Sequence, residues 1–400
     1  MDRKKKWIRY RHRVVRNIAY AVLYPYSKWK YGIKVERFRE QEDRGYLILL
    51  NHQTPFDQFF VGMAFRGAVY YLATEDIFSN GWISSLIRWL VAPIPIKKQT
   101  TDLAAVMNCI RIAREGGTIA IAPEGNRTYS GKTEYMSPTI ASLARKMGLP
   151  IALYRIEGGY GVQPRWSDKV RKGKIRCYVS RVIQPEEYAT MTNEELFAAI
   201  EEGLAVNEAV SDGIYKSNHR AEYLERAIYV CPDCGLSEFE SKGNFIACKK
   251  CHKKVEYGAD KRLTGVGFDF PFAYVADWYE YQKEFVYSLD VTQFVSQPLY
   301  RDAAGLQQVI VNKRKLRLRK NAVLELYGDR VVMDGGEWVM PFDKVSAMAV
   351  LGRNKLNIYY GDKVFQVKGG KRFNALKYVN FYFRYKNIIK GDADGKFLGL

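Results

Sequence analysis

Residues 46–57 read YLILLNHQTPFD. Five apolar or aromatic residues without a polar interruption fit a strand buried on both faces better than an amphipathic element. His52 stands just past its end, Pro55 follows, and Asp57 lies five positions beyond the histidine. On one ideal helix His52 and Asp57 would point about 140° apart. They can meet if His52 occupies a turn and Pro55 begins a helix, so that the Asp57 carboxylate reaches back. A carboxylate on one imidazole nitrogen fixes the tautomer and raises the basicity of the other, which a general base needs. A His-Asp pair alone is more often a cap or a structural hydrogen bond, so its neighbourhood decides its meaning.

Working outward, short apolar runs recur at VYYLA (69–73), TIAIA (118–122), IALYRI (151–156) and IRCYVSRVI (175–183). Between them DLAAVMNCIRIARE (102–115) has helical periodicity, with Thr101 or Asp102 as cap and Gly116-Gly117 as stop. Strands separated by helices imply a mainly parallel sheet covered on both faces, and ligands of such sheets bind beyond the carboxyl ends of the strands. TIAIA runs into PEGNRTYSGK as YLILL runs into NHQTPFD, so both polar stretches are expected on one rim. In the second, Gly125 permits close backbone approach and Arg127 can grip a phosphate through two parallel hydrogen bonds.

Together HQTPFD and PEGNR resemble the two hallmark motifs of the glycerolipid acyltransferase family that includes the 1-acylglycerol-3-phosphate acyltransferases. APIPIKK (92–98) and GLPIALYRIEG (148–158) extend the resemblance over roughly residues 20–210. Ala122 and Asn126 stand where that family has an aromatic and a threonine, and Lys97 and Lys98 where an arginine is common. The resemblance implies an α/β acyltransferase domain over 41–212, its sheet mainly parallel and flanked by helices, and the charged stretch 192–212 reads as the helix that closes it. The resemblance also implies catalytic His52 and Asp57, and substrate-binding Glu124, Gly125, Asn126, Arg127, Lys97 and Lys98. The implied reaction is transfer of a fatty acyl group from an acyl-CoA or acyl-carrier-protein thioester to the hydroxyl of a lysophosphatidate-like acceptor in phospholipid synthesis. Another lysolipid or polar alcohol as acceptor, or a catalytically inactive lipid-sensing scaffold, are the alternatives.

Four of the six cysteines form C-x2-C-x13-C-x2-C: Cys231, Cys234, Cys248 and Cys251. Four thiolates on two knuckles suit one tetrahedral zinc and leave no coordination position open, so a structural zinc ribbon over 228–258 is expected, with rubredoxin-type iron the lesser option. Cys109 and Cys177 read as core residues. Beyond the cysteines, GFDFPFAYVADWYEYQKEFV (267–286) reads as part-helical. Short alternating strands, QQVIVNKRKLRLRK (307–320) among them, and a final helical stretch then make a β-barrel-like domain (290–390), closed by a helix and resembling the pleckstrin-homology superfold. Turn signals sit at Gly328-Asp329, Gly335-Gly336 and Gly361-Asp362. In KRKLRLRK alternation places Lys315, Arg317 and Arg319 on one face, either as an edge strand protected by charge or as a surface for phospholipid headgroups.

The net charge of +20 is concentrated: residues 1–40 hold 13 Lys/Arg against 3 Asp/Glu. That segment interleaves cations with Trp7, Ile8, Tyr10, Val14 and IAYAVLYPY, an apolar run short of the roughly 20 residues a bilayer span requires. It reads as an interfacial amphipathic helix, and IFSNGWISSLIRWLVAPIPI (77–96) as a groove wall or second interfacial helix. Anionic membrane lipids, and acyl-carrier protein as a donor, are the expected partners. Nucleic acid is not expected, because no aromatic-basic array accompanies the ribbon. The expected location is cytoplasmic, peripheral on the inner face of the membrane.

Overall fold

The computed structural model describes residues 6–74, 76–96, 102–310, 313–391 and 398–399. They divide into two units: residues 6–96, 102–165 and 170–215 in the first, and 166–169 with 216–399 in the second.

The first unit is organised by the alternation of its buried strands. In β2 (Leu47–Leu50), Leu47 and Leu49 join a core shared with Ile119, Ile121, Ile151 and Leu153, while Ile48 and Leu50 join another with Ala120, Ala152 and Tyr154. Successive strand residues point to opposite faces, so a run without polar residues needs cover on both. Helices α4 (Leu103–Arg114), α5 (Thr139–Met147) and α8 (Asn193–Leu204) cover the first face through Ile112, Ala144 and Ile200. Helices α1 (Tyr10–Tyr31) and α2 (Asp57–Ala64) cover the other through Tyr31, Phe60 and Met63. Asp102 caps α4, accepting the Ala105 N–H at 3.1 Å.

The remaining strands are β1 (Ile33–Val35), β3 (Val69–Thr74), β4 (Ile94–Ile96), β5 (Thr118–Ile121), β6 (Ile151–Glu157) and β7 (Ile175–Ile183), in the order β1-β7-β6-β2-β5-β3-β4. Strands β6, β2, β5, β3 and β4 run parallel. β7 is antiparallel to β6 and carries β1 alongside it, so the sheet is mixed. Strand β4 follows helix α3 (Trp82–Val91). The remaining short helices are α6 (Gly159–Val162) and α7 (Pro185–Ala189). The helix expected over 192–212 stops at Leu204, because the chain beyond it pairs with the loop after β5: Thr133 N–H donates to Val206 O at 3.1 Å and Lys132 bridges Asn207. Cys109 and Cys177 are fully buried, and burial raises both thiols, Cys109 to about 12.

The second unit begins with two small antiparallel sheets, β8 (Val230–Cys231) with β9 (Gly235–Leu236), and β10 (Phe239–Lys242), β11 (Phe245–Cys248), β12 (Lys254–Tyr257) and β13 (Leu263–Gly265). Helix α9 (Val275–Ser288) packs on β8, where Trp278 Nε1 donates to Val230 O at 2.8 Å. A seven-stranded antiparallel sheet follows: β14 (Tyr300–Ile310), β15 (Arg314–Leu326), β16 (Arg330–Met333), β17 (Trp338–Pro341), β18 (Val345–Leu351), β19 (Lys355–Tyr360) and β20 (Lys363–Gly369). Its order β17-β16-β15-β14-β20-β19-β18 leaves a curled half-barrel, with no ladder between β17 and β18 among the described residues. Helix α10 (Leu376–Ile389) packs against it, Tyr382 donating to Val345 O at 3.0 Å.

The stretch read as one strand, QQVIVNKRKLRLRK, is instead two strands of a hairpin, β14 and β15. Among the described residues β15 meets β16 only at Leu324–Leu326, so its earlier residues form a sheet edge, where charge opposes strand addition. Arg319 is engaged by Asp334, at 2.9 Å, and by Glu337, which leaves the expected three-cation face incomplete.

Candidate active site

β2 and β5 are neighbours running in the same direction, so the loops at their carboxyl ends share a rim. At the end of β2 the chain leaves the strand, turns through Thr54–Phe56, and enters α2 at Asp57. The Asp57 side chain is 1% exposed and collects the donors of Gln53 and Thr54 in the turn it closes. Its oxygens accept the Gln53 N–H at 2.7 Å, the Thr54 N–H at 3.0 Å and the Thr54 hydroxyl at 2.6 Å. His52 Nδ1 completes the set at 2.8 Å from Oδ2. The imidazole is 27% exposed, so the pair has a buried carboxylate end and a partly exposed histidine end. The helix begins at Asp57, two residues after the expected start at Pro55, which lies in the turn before it.

Glu124 joins the second loop to the first. Its Oε1 accepts the His52 N–H at 2.9 Å and its Oε2 the Glu134 N–H at 2.9 Å. A further backbone link runs from Thr128 N–H to His52 O at 3.3 Å. Burial raises the Glu124 carboxyl to about 8; the two N–H donors oppose the shift, and the neighbouring Glu134 and Asp57 add to it. With both oxygens on backbone donors, Glu124 acts on the position of His52.

Gly125 takes φ +65 at the exposed loop tip, with no atom within 4 Å of the place a Cβ would occupy. Glycine is needed there for backbone conformation rather than for close packing. Asn126 is buried and its Oδ1 accepts from Arg165 Nη2 at 3.3 Å, while Arg165 Nη1 donates to Arg127 O at 2.9 Å. The half-buried Arg127 belongs to the same loop. Lys97 and Lys98 lie outside the described residues; β4 ends immediately before them.

Three contributors escape a motif reading. Asn51 clamps β2 to β6 from both ends of its amide, donating to Ile156 O and accepting the Ile156 N–H, each at 2.8 Å. Thr54 supplies the hydroxyl on Asp57, and Arg165 reaches the second loop from beyond α6. Asn51 and Thr54 had a local signal, polar residues flanking His52 at the end of an apolar run. Arg165 had none, since it lies 38 positions from Arg127.

In the second unit the four cysteine sulfurs lie within 4.8 Å of one another, Cys231 and Cys251 at 3.8 Å. Sulfurs each about 2.3 Å from one tetrahedral zinc stand about 3.8 Å apart, so the quartet is close to a ligand set. Burial works against ionisation of Cys248, but the N–H groups of Cys251 and Lys250 and the Ser237 hydroxyl outweigh it and hold the thiol at about 7.

Residues 32–156 match the acyltransferase family, a span that contains both loops. A 1-acyl-sn-glycerol-3-phosphate acyltransferase of Bacillus subtilis (strain 168) is 23% identical over 176 residues, 43% of this chain and 84% of that relative. The crystal structure of the 1-acyl-sn-glycerophosphate acyltransferase from Thermotoga maritima aligns at 21% identity over 48% of this chain and 74% of that one, with a TM-score of 0.39.

The raised carboxyl of Glu124 links pH to stability. Its ordinary value is 4.5 and its folded value about 8, so its contribution is complete below 4.5 and is lost as pH rises through about 8. Urea unfolding at about pH 5 and about pH 9 will show wild type losing more stability across that interval than Glu124→Gln. The variant will also be weaker at the lower pH by about 1–3 kcal/mol, the cost of a buried N–H left without an acceptor.

Proposed function

We propose that this O-acyltransferase moves a fatty acyl group from a thioester, acyl-CoA or acyl-carrier protein, to the hydroxyl of a lysophosphatidate-like acceptor in phospholipid synthesis. The observation that carries the reading is the His52–Asp57 pair, buried at its carboxylate end and partly exposed at its imidazole end, beside a glycine-tipped loop that carries Arg127. The name of the Bacillus subtilis relative supports the acceptor class.

In this mechanism His52 Nε2 takes the proton from the acceptor hydroxyl. The oxygen attacks the thioester carbonyl, the new C–O ester bond forms, and the C–S bond breaks. The proton on His52 passes to the departing thiolate. Asp57 holds the imidazole in the required tautomer and stabilises its transient positive charge. Arg127 takes the acceptor phosphate, which converts an encounter in solution into a fixed approach.

The lipid substrate calls for a membrane surface, and the first unit carries an apolar face suited to one. Along α1, Tyr10, Val14, Ile18, Val22, Tyr26 and Trp29 are exposed at spacings of four and three residues. On α3, Trp82, Ile83, Leu86 and Trp89 are exposed too, and Arg11 of α1 donates to Trp89 O at 2.8 Å. No helix among the described residues is long and apolar enough to cross a membrane. Cations at both ends of α1 would meet anionic headgroups while Trp and Tyr sit at the boundary. In the second unit, Cys231, Cys234, Cys248 and Cys251 would hold a structural zinc. It supplies no chemistry to the transfer and stabilises sheets too small to carry a core of their own.

Purified protein with anionic vesicles, a panel of lysolipids and both thioester donors will give phosphatidate by mass spectrometry. His52→Ala will lose about 10²- to 10⁴-fold in rate, and turnover undiminished without the imidazole would remove His52 as the base. Elemental analysis will find zinc in equimolar amount with protein, and Cys231→Ser with Cys248→Ser will lose it together with thermal stability. Co-sedimentation with anionic vesicles will weaken at high salt and again in the double variant Trp29→Ser with Trp82→Ser; binding indifferent to both would sink the membrane face.

A further inference from the structure

We infer that Arg165 is a positioning residue for recognition of the acceptor phosphate: it holds the Asn126–Arg127 segment in the conformation from which Arg127 grips the ligand. This rests on the reading of Arg127 as the phosphate contact. Arg165 is 3% exposed, so its guanidinium sits under the loop instead of in the ligand's path. Its two terminal nitrogens reach consecutive residues of the motif, the side-chain oxygen of Asn126 and the carbonyl of Arg127. The guanidinium also lies 4.3 Å from the Tyr129 ring centre, a cation–π contact two residues further along the same loop. A planar fork with several fixed donors can bridge two acceptors at once, and an ammonium cannot do so with the same geometry.

The loop needs such support. Its tip, Gly125, is exposed, with open space where a Cβ would stand, so its other side must supply the order that a phosphate grip requires. The segment that supplies it is itself anchored to the first loop. Asn51 ties β2 to Ile156, and a Cβ on Gly159 would fall 2.6 Å from Gln53 Cβ, so the chain after β6 presses on the loop of His52 before Arg165 reaches the loop of Arg127. The chain after β6 thus braces both motif loops. The Asn126 position also gains a reason: where the resembling family has threonine, this chain has a longer side chain whose oxygen meets Arg165. A buried cation costs solvation unless hydrogen bonds and a ring face compensate, and Arg165 has both.

The test measures KM and kcat for lysophosphatidate on vesicles with Arg165→Gln, Arg165→Lys, Asn126→Ala and, as reference, Arg127→Ala, with thermal midpoints for each. Arg165→Gln is expected to raise KM about 10- to 100-fold while kcat stays within about threefold. Arg165→Lys should recover part of the loss, and Asn126→Ala should shift KM the same way by less. If Arg165→Gln fails to fold, Asn126→Ala carries the test, because it removes one contact of the brace without unburying the cation. A KM that stays put in both variants while Arg127→Ala raises it overturns the role of Arg165 alone. Loss confined to kcat also overturns it. Should Arg127→Ala leave KM unchanged, the phosphate reading of that loop fails instead.

Discussion

The buried Asp57 carboxylate is the constraint from which the candidate site follows. A strand ending in the protein interior leaves backbone donors that must find acceptors, and here one side chain takes them: the N–H groups of Gln53 and Thr54, with the Thr54 hydroxyl added. Satisfying those donors closes the turn and starts α2, and the remaining approach to Oδ2 falls to His52. The pairing therefore follows from local backbone accounting, which explains how a partly exposed histidine can be held with little freedom. Rigid support of that kind is what a proton acceptor requires, since its nitrogen must already point where the hydroxyl will arrive.

Glu124 extends the same logic across the sheet. Two loops that leave adjacent parallel strands have no ladder to hold them once the strands end. A carboxylate with one oxygen on each loop substitutes for the missing ladder. Desolvation, the two N–H bonds and nearby acidic groups then compete over its proton, and desolvation dominates. Arg165 and Asn51 add attachments of a different chemistry from the chain around and after β6. The rim is thus supported by side chains that spend their polar atoms on backbone, a division of labour in which few residues remain for ligand contact.

Elsewhere charge has more than one use. On the half-barrel of the second unit, the cations of β15 line a strand that pairs with β14 on one side and, among the described residues, has a partner on the other only at Leu324–Leu326, and Arg319 is occupied by acidic partners. Protection of an edge accounts for that pattern without a ligand. On α1 the situation differs, because exposed aromatic and aliphatic side chains run between the cations along one helix, an arrangement that edge protection does not require.

Much of this was legible in order along the chain. The uninterrupted apolar runs determined the central strands, because a strand buried on both faces has no alternative pattern. HQTPFD marked the His52–Asp57 pair and PEGNR the neighbouring loop, and the cysteine spacing marked a four-sulfur cluster, because short-range spacing limits which side chains can meet. Other features had no local signature. The antiparallel sense of β7, the end of α8 at Leu204, the hairpin within QQVIVNKRKLRLRK and the open half-barrel each depend on which distant segment supplies a hydrogen-bond partner. Glu124 acting on the His52 backbone, Asn51 on β6 and Arg165 on the second loop depend on the same thing. The sequence by itself determined which residues could do chemistry and near which strand ends. Only the tertiary structure decided which neighbours hold them in place, because a buried donor or acceptor is satisfied by whatever the fold brings within about 3 Å, however far away it lies in the chain.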